Sequence, residues 1–141
     1  SGMSVVVLVV DDEPDVEALF KQQFRREVRQ GAYRLEFALS AQQALDKLDG
    51  HDGETIILLV SDINMPGMTG LEMLPIVRQR RPDLPVFMIS AYGDATTIAT
   101  ALRNGASRFL TKPVDFAALK QEVAAVVAGD PGAGPDGNAR S

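Results

Sequence analysis

Cysteine is absent from all 141 positions. Disulfides, thiolate metal sites and cysteine nucleophiles are thereby excluded, and a reducing compartment is permitted. No apolar run approaches the roughly 20 residues that a membrane-spanning helix needs. Nor does a charged segment followed by an apolar one mark a signal peptide; Val5 to Val10 is apolar but far too short. An excess of basic charge is also lacking. The formal net charge of −5 argues against general nucleic-acid binding. Histidine occurs once, at His51 in a Gly/Asp-rich stretch, and reads as an exposed linker residue rather than a phosphohistidine or a ligand.

What is present suits one compact domain with a proper core. Hydrophobic residues make up 45% and charged residues 23% of the chain, an ordinary balance for a globular fold. Residues 1–2 read as a cloning scar, 3–128 as a single domain, and 129–141 as a disordered tail or a truncated linker to an output domain.

Val5 to Val10 is a β-branched run that ends abruptly at Asp11-Asp12, the mark of a parallel strand covered on both faces. Pro14 stands where a first-turn proline is tolerated. Val16, Leu19, Phe20, Phe24 and Val28 then predict one long amphipathic helix. The same unit repeats: a strand over 33–39 and a helix opened by Ser40, then a strand from Ile56 to Val60 that ends at Ser61-Asp62. A loop with Pro66, Gly67 and Gly70 precedes the third helix, and a strand from Pro85 to Ile89 ends at Ser90. Asp94 and Gly105 bound a fourth helix, Ser107 to Leu110 forms a fifth strand, and Asp115 caps a fifth helix. Five strands alternating with five helices imply an α/β fold with a doubly wound, five-stranded parallel sheet.

In such sheets ligands bind beyond the carboxyl ends of the strands. Those ends carry Asp11, Asp12, Asp62, Ser90 and Lys112. Two like charges about 4 Å apart repel by roughly 4 kcal/mol at an effective dielectric near 20, which a bound cation relieves. Hard oxygen ligands without His or Cys suit Mg²⁺, and Lys112 adds a positive charge suited to a phosphoryl group. The set fits phosphoryl transfer onto a carboxylate. Asp62 stands alone at a central strand end and is the expected nucleophile; the adjacent Asp11 and Asp12 better serve as metal anchors.

Four segments carry a resemblance: Val10-Asp11-Asp12-Glu13-Pro14, Ser61 through Gly70, Ile89-Ser90-Ala91-Tyr92, and Leu110-Thr111-Lys112-Pro113. Together, and in this order at strand ends, they resemble the receiver domain of bacterial response regulators, over about Met3 to Ala128. The resemblance implies a flavodoxin-like strand order of 2-1-3-4-5. It implies Asp62 as phosphoacceptor, with self-phosphorylation and autodephosphorylation the only catalysis. Mg²⁺, with Mn²⁺ as an admissible substitute, would be bound by Asp12 directly, by Asp11 mainly through water, by Asp62, and by the backbone carbonyl of Asn64. Lys112 would contact the phosphate, with Lys112-Pro113 a cis peptide. Ser90 and Phe109 would form the switch pair, and Asn64 and Tyr92 would tune the phosphoryl lifetime.

The implied partners are a histidine kinase or phosphotransfer protein and an output domain or effector. The latter would act through the face made by the fourth helix, fifth strand and fifth helix. A second copy is admitted; direct contact with nucleic acid or membrane is not, and the expected location is cytoplasmic. The Phe24–Phe37 stretch and the segments around Ser90 and Pro113 resemble receivers fused to nucleotide cyclases or phosphatases. The fourth helix, with Thr96, Thr97 and Thr100 and a thin stripe of Ile98 and Leu102, reads as marginal and easily shifted. Lys21, Arg25 and Arg29 form a basic stripe on the first helix, read as a solvated face. Arg78, Arg80 and Arg81 read as cations placed to suit a helix C-terminus. Among alternatives, an FMN binder needs a Gly/Ser/Thr phosphate loop where Asp11-Asp12-Glu13 stands. A haloacid-dehalogenase-type phosphatase needs Asp-x-Asp after the first strand. A receiver-like interaction module working without phosphorylation usually lacks part of the acidic set that is complete here.

Overall fold

The computed structural model describes residues 4–50 and 52–129. The first-strand run forms β1 (Val6–Val10), followed by α1 (Pro14–Gln23), α2 (Arg25–Arg29), β2 (Arg34–Ala38) and α3 (Ala41–Asp49). A 3₁₀ turn (Gly53–Thr55) leads into β3 (Ile56–Asp62), α4 (Gly70–Arg80), β4 (Val86–Ser90), α5 (Ala95–Arg103), β5 (Arg108–Thr111) and α6 (Phe116–Val127). The five strands form one parallel sheet in the order β2-β1-β3-β4-β5. Residues 1–3, 51 and 130–141 lie outside the described residues, so the expectations of a cloning scar over 1–2, of an exposed linker His51 and of a tail from 129 fall there wholly or nearly so.

Both faces of the sheet are covered, which is why β1 is apolar throughout. Val6, Leu8 and Val10 face a core completed by Leu45, Met73, Leu74, Val77 and Ala101 from α3, α4 and α5. Val7 and Val9 face the opposite core, with Phe20, Phe24, Leu119 and Val123 from α1, its continuation and α6. Met65 and Met73 are buried and Met68 packs against the same core, so these residues are packing groups.

One expectation is corrected. The long first helix is interrupted at Phe24, whose backbone leaves helical values (φ −104°, ψ 14°). Phe24 is 1% exposed, stacked on Phe20 and edge-on to Tyr33 and Phe116. Burying that ring in an aromatic cluster outweighs one residue of helical regularity, since aromatic pairs gain about 1 kcal/mol beyond their area. The break is shallow, because Phe24 N still donates to Phe20 O and Val28 N to Phe24 O. Leu19 and Val28, expected on the buried side, are 43% and 38% exposed.

The helix ends follow local chemistry. Ser40, Asp94 and Asp115 each accept from a backbone amide three residues on. Thr69 and Glu72 form a reciprocal capping box that starts α4, a signal that the Thr-x-x-Glu spacing carries in the sequence. Gly105 takes φ +107° beyond α5, where a side chain would also meet Arg78.

Candidate functional site

Parallel register brings the chemistry together. Val10 pairs with Ser61, so Asp11 and Asp62, one residue further along each strand, stand level at the carboxyl edge. Asp62 pairs with Ile89 and Ser90 with Thr111, which sets Ser90 and Lys112 just beyond the same edge. Asp11, Asp12 and Asp62 each present a carboxylate oxygen, all within 4.8 Å of one another. Lys112 Nζ lies 3.5 Å from Asp62 Oδ2 and 3.8 Å from Asp11 Oδ2.

The site is set into the protein. Asp62 is 5% and Asp11 8% exposed, while Asp12 is half-buried. Burial pushes the Asp62 carboxyl above its ordinary range, although Lys112 and the Asn64 amide pull it down. Asp11 is likewise raised by burial and by Asp62, against a hydrogen bond from the Glu13 amide to its Oδ1. Two carboxylates 4.8 Å apart repel by about 3–4 kcal/mol at an effective dielectric near 20.

Three carboxylates against one ammonium leave two negative charges, and all the donors are hard oxygens. This set fits a divalent cation of the Mg²⁺ type. It suits neither zinc nor copper, which favour nitrogen and sulfur.

Ser90 is fully buried. Its hydroxyl donates to Asn64 Oδ1 at 2.9 Å and accepts from the Tyr92 amide at 3.0 Å. The Asn64 side chain is therefore tied to Ser90, a link that the sequence reading missed because the two residues belong to different strand-end loops. Asn64 N also points to Asp62 Oδ1 at 3.4 Å. Tyr92 is 66% exposed, and Phe109 is half-buried against the core that α5 covers. The Lys112-Pro113 peptide is cis.

Glycine fixes how closely α4 approaches the acidic residue. A Cβ on Gly70 would lie 2.5 Å from Asp62 O and 2.9 Å from Ile63 Cα. Gly70 N meanwhile donates to Ile63 O at 2.8 Å. No larger residue permits that contact without moving the backbone that carries Asp62.

The family model described as the response regulator receiver domain matches residues 7–124. The response regulator protein PilR of Pseudomonas aeruginosa is 38% identical over 117 residues, 83% of this chain and 25% of PilR. FleR of the same organism is 38% identical over 133 residues, 94% of this chain and 26% of FleR. The chain thus spans about a quarter of the length of these curated relatives. A chemotaxis protein CheY homolog of Campylobacter jejuni is 29% identical over 130 residues, and there the match covers 91% of this chain and 96% of the relative. Among solved structures, the signal receiver domain of an HD domain-containing protein from Pseudomonas fluorescens Pf-5 superposes with a TM-score of 0.79 at 25% identity. That match covers 90% of this chain and 97% of the other.

Proposed function

From the membership of this chain in the response regulator receiver domain family, we propose that Asp62 takes a phosphoryl group from a histidine kinase or phosphotransfer protein. As a receiver domain of two-component signalling, the chain is a signalling module rather than a metabolic enzyme. The observation that carries the proposal is the level meeting of Asp11, Asp12 and Asp62 with Lys112 at one sheet edge.

In the transfer, an oxygen of the Asp62 carboxylate attacks the phosphorus of the donor. The new O–P bond forms as the N–P bond of the donor imidazole breaks, and the electron pair stays on the imidazole nitrogen. Lys112, 3.5 Å from Asp62 Oδ2, neutralises charge on the phosphoryl oxygens. Asp11 and Asp12, with Asp62 and the Asn64 carbonyl, would hold Mg²⁺ or Mn²⁺. The metal's contribution when bound is to offset the negative charge gathered by the acids and the phosphoryl group.

Ser90 can reach a phosphoryl oxygen only by releasing Asn64 Oδ1, which couples the chemistry to the loop after β3. Space vacated by Ser90 is available to Phe109, shifting α5, β5 and α6, the helices counted fourth and fifth from the sequence. That face would contact an output domain, an effector or a second copy. A partner-binding role without phosphorylation is not favoured, because the acidic set and the lysine are complete.

Incubation with acetyl phosphate and Mg²⁺, followed by intact mass measurement, tests the reading. The expected result is a gain of one phosphoryl group that vanishes in Asp62→Asn and weakens at least about tenfold in Asp12→Ala. Full labelling of Asp62→Asn overturns it.

A further inference from the structure

The basic stripe expected on one first helix is divided in the fold, with Lys21 on α1 and Arg25 and Arg29 on α2. Lys21, Arg25 and Arg29 are joined by Arg34 from the start of β2, and with Val28 and Leu35 they line an open hollow of about 450 Å³. An adjoining hollow of about 540 Å³ shares Arg25 and Arg29 and adds Arg26 and Lys120. Lys21 pairs with Glu17, Arg34 with Glu36, and Lys120 with Glu27. Among the described residues, the Arg25, Arg26 and Arg29 side chains have no hydrogen-bond or ion-pair partner.

A solvated helix face normally mixes both signs. Here like charges recur at spacings of three and four residues, which destabilises a helix. The cluster does not follow from composition either, since the chain has 19 acidic and 14 basic side chains.

The hollow lies beside an edge of the sheet, because among the described residues β2 pairs with β1 alone. It also lies at the start of the strands, whereas Asp11 and Asp62 lie at their ends. At 3.3 Å per residue, a strand of five residues separates the two by about 16 Å. An occupant there leaves Asp62 open to its donor.

We infer that this face docks an extended acidic segment of a partner protein, with carboxylates on Arg25, Arg29 and Arg34 and apolar side chains against Val28 and Leu35. Charge and shape select this occupant. A long polyanion would meet the net negative remainder of the chain beyond a Debye length of about 10 Å, whereas a short segment feels only the cations. The apolar residues line a hollow at a strand edge, which fits a peptide backbone better than a lipid surface.

A short fluorescein-labelled peptide of alternating Glu and Val, titrated with the full chain, tests the inference. The expected result is saturable binding that weakens with added salt and falls about tenfold or more in Arg25→Glu/Arg29→Glu. Amide resonances of residues 28–35 shift and those around Asp62 do not. Arg103→Glu, which removes an exposed cation from α5 on the other face of the sheet, leaves the affinity unchanged. If the double charge reversal loses its native circular dichroism spectrum, Arg25→Gln/Arg29→Gln replaces it, with weaker binding still expected. Absence of saturable binding overturns the inference, as does equal affinity in the arginine variants. So does tighter binding of a short DNA duplex or of phosphatidylserine vesicles.

Discussion

A carboxylate held 5% exposed at the end of a central strand is costly to ionise, and Asp62 is such a group. Burial raises Asp62 and Asp11 above the ordinary 3.8, so between that value and their folded values the native state binds more protons than the unfolded chain. Their contribution to stability is therefore greatest at low pH and is lost as pH rises through the raised values. In metal-free buffer, Asp62→Asn should melt a few degrees above wild type at pH 8, with the gap closing toward pH 4. A lower melting temperature for the variant at pH 8 would contradict this. Arg78 is a second residue whose role is spatial. Its guanidinium donates to the carbonyls of Arg81, Pro82, Leu84 and Gly105, tying the end of α4 to the loops before β4 and β5. Arg81 does the same for Gly53 and Ile56. Helix-end electrostatics thus accounts for little of what these arginines do. Arg78→Met should destabilise the domain by about 2–3 kcal/mol, since it leaves carbonyls unpaired, as urea denaturation would measure.

At the scale of elements, α5 is weakly attached compared with α3 on the same face of the sheet. It buries only Ala101, whereas α3 buries Ala41, Ala44, Leu45 and Leu48. Leu102 is 42% exposed and Ile98 half-buried, so the thin stripe in the sequence is thinner still in the fold. Gly105, held by Arg78, anchors its C-terminal end, and Asp94 caps the other through the Thr97 amide and hydroxyl. Amides of residues 95–103 should exchange faster than those of α3, and a phosphoryl mimic with Mg²⁺ should change their protection. Identical protection with and without the mimic would remove α5 from the switch. The helix interruption at Phe24 belongs to this scale too. Apolar spacing marked Phe24 as buried, but only its contacts with Phe20, Tyr33 and Phe116 explain why the backbone yields there.

For the whole molecule, the fold places opposite charges at opposite ends of one sheet. The carboxyl edge gathers acids; the start of β2 gathers arginines. A divalent cation at the acidic end should stabilise the native state by about 2.7 kcal/mol at a hundred times its Kd. Thermal melts with and without Mg²⁺ would measure this, and Asp12→Ala should abolish most of the shift. No helix among the described residues is long and apolar enough to cross a membrane.

Local patterning determined much of this protein unaided. Fully apolar strands announced a sheet covered on both faces, Ser40, Asp94 and Asp115 announced helix starts, and acids at strand ends announced an edge rich in charge. These features depend on residues close in the chain, where period and capping chemistry act. The tertiary structure alone decided the rest. The Asn64–Ser90 link, the arginine staples on loop carbonyls, the break at Phe24 and the meeting of Arg25 and Arg29 with Arg34 all join segments from different elements. Sequence spacing carries no distance across a sheet, so such contacts exist only once strand order and register bring the partners together.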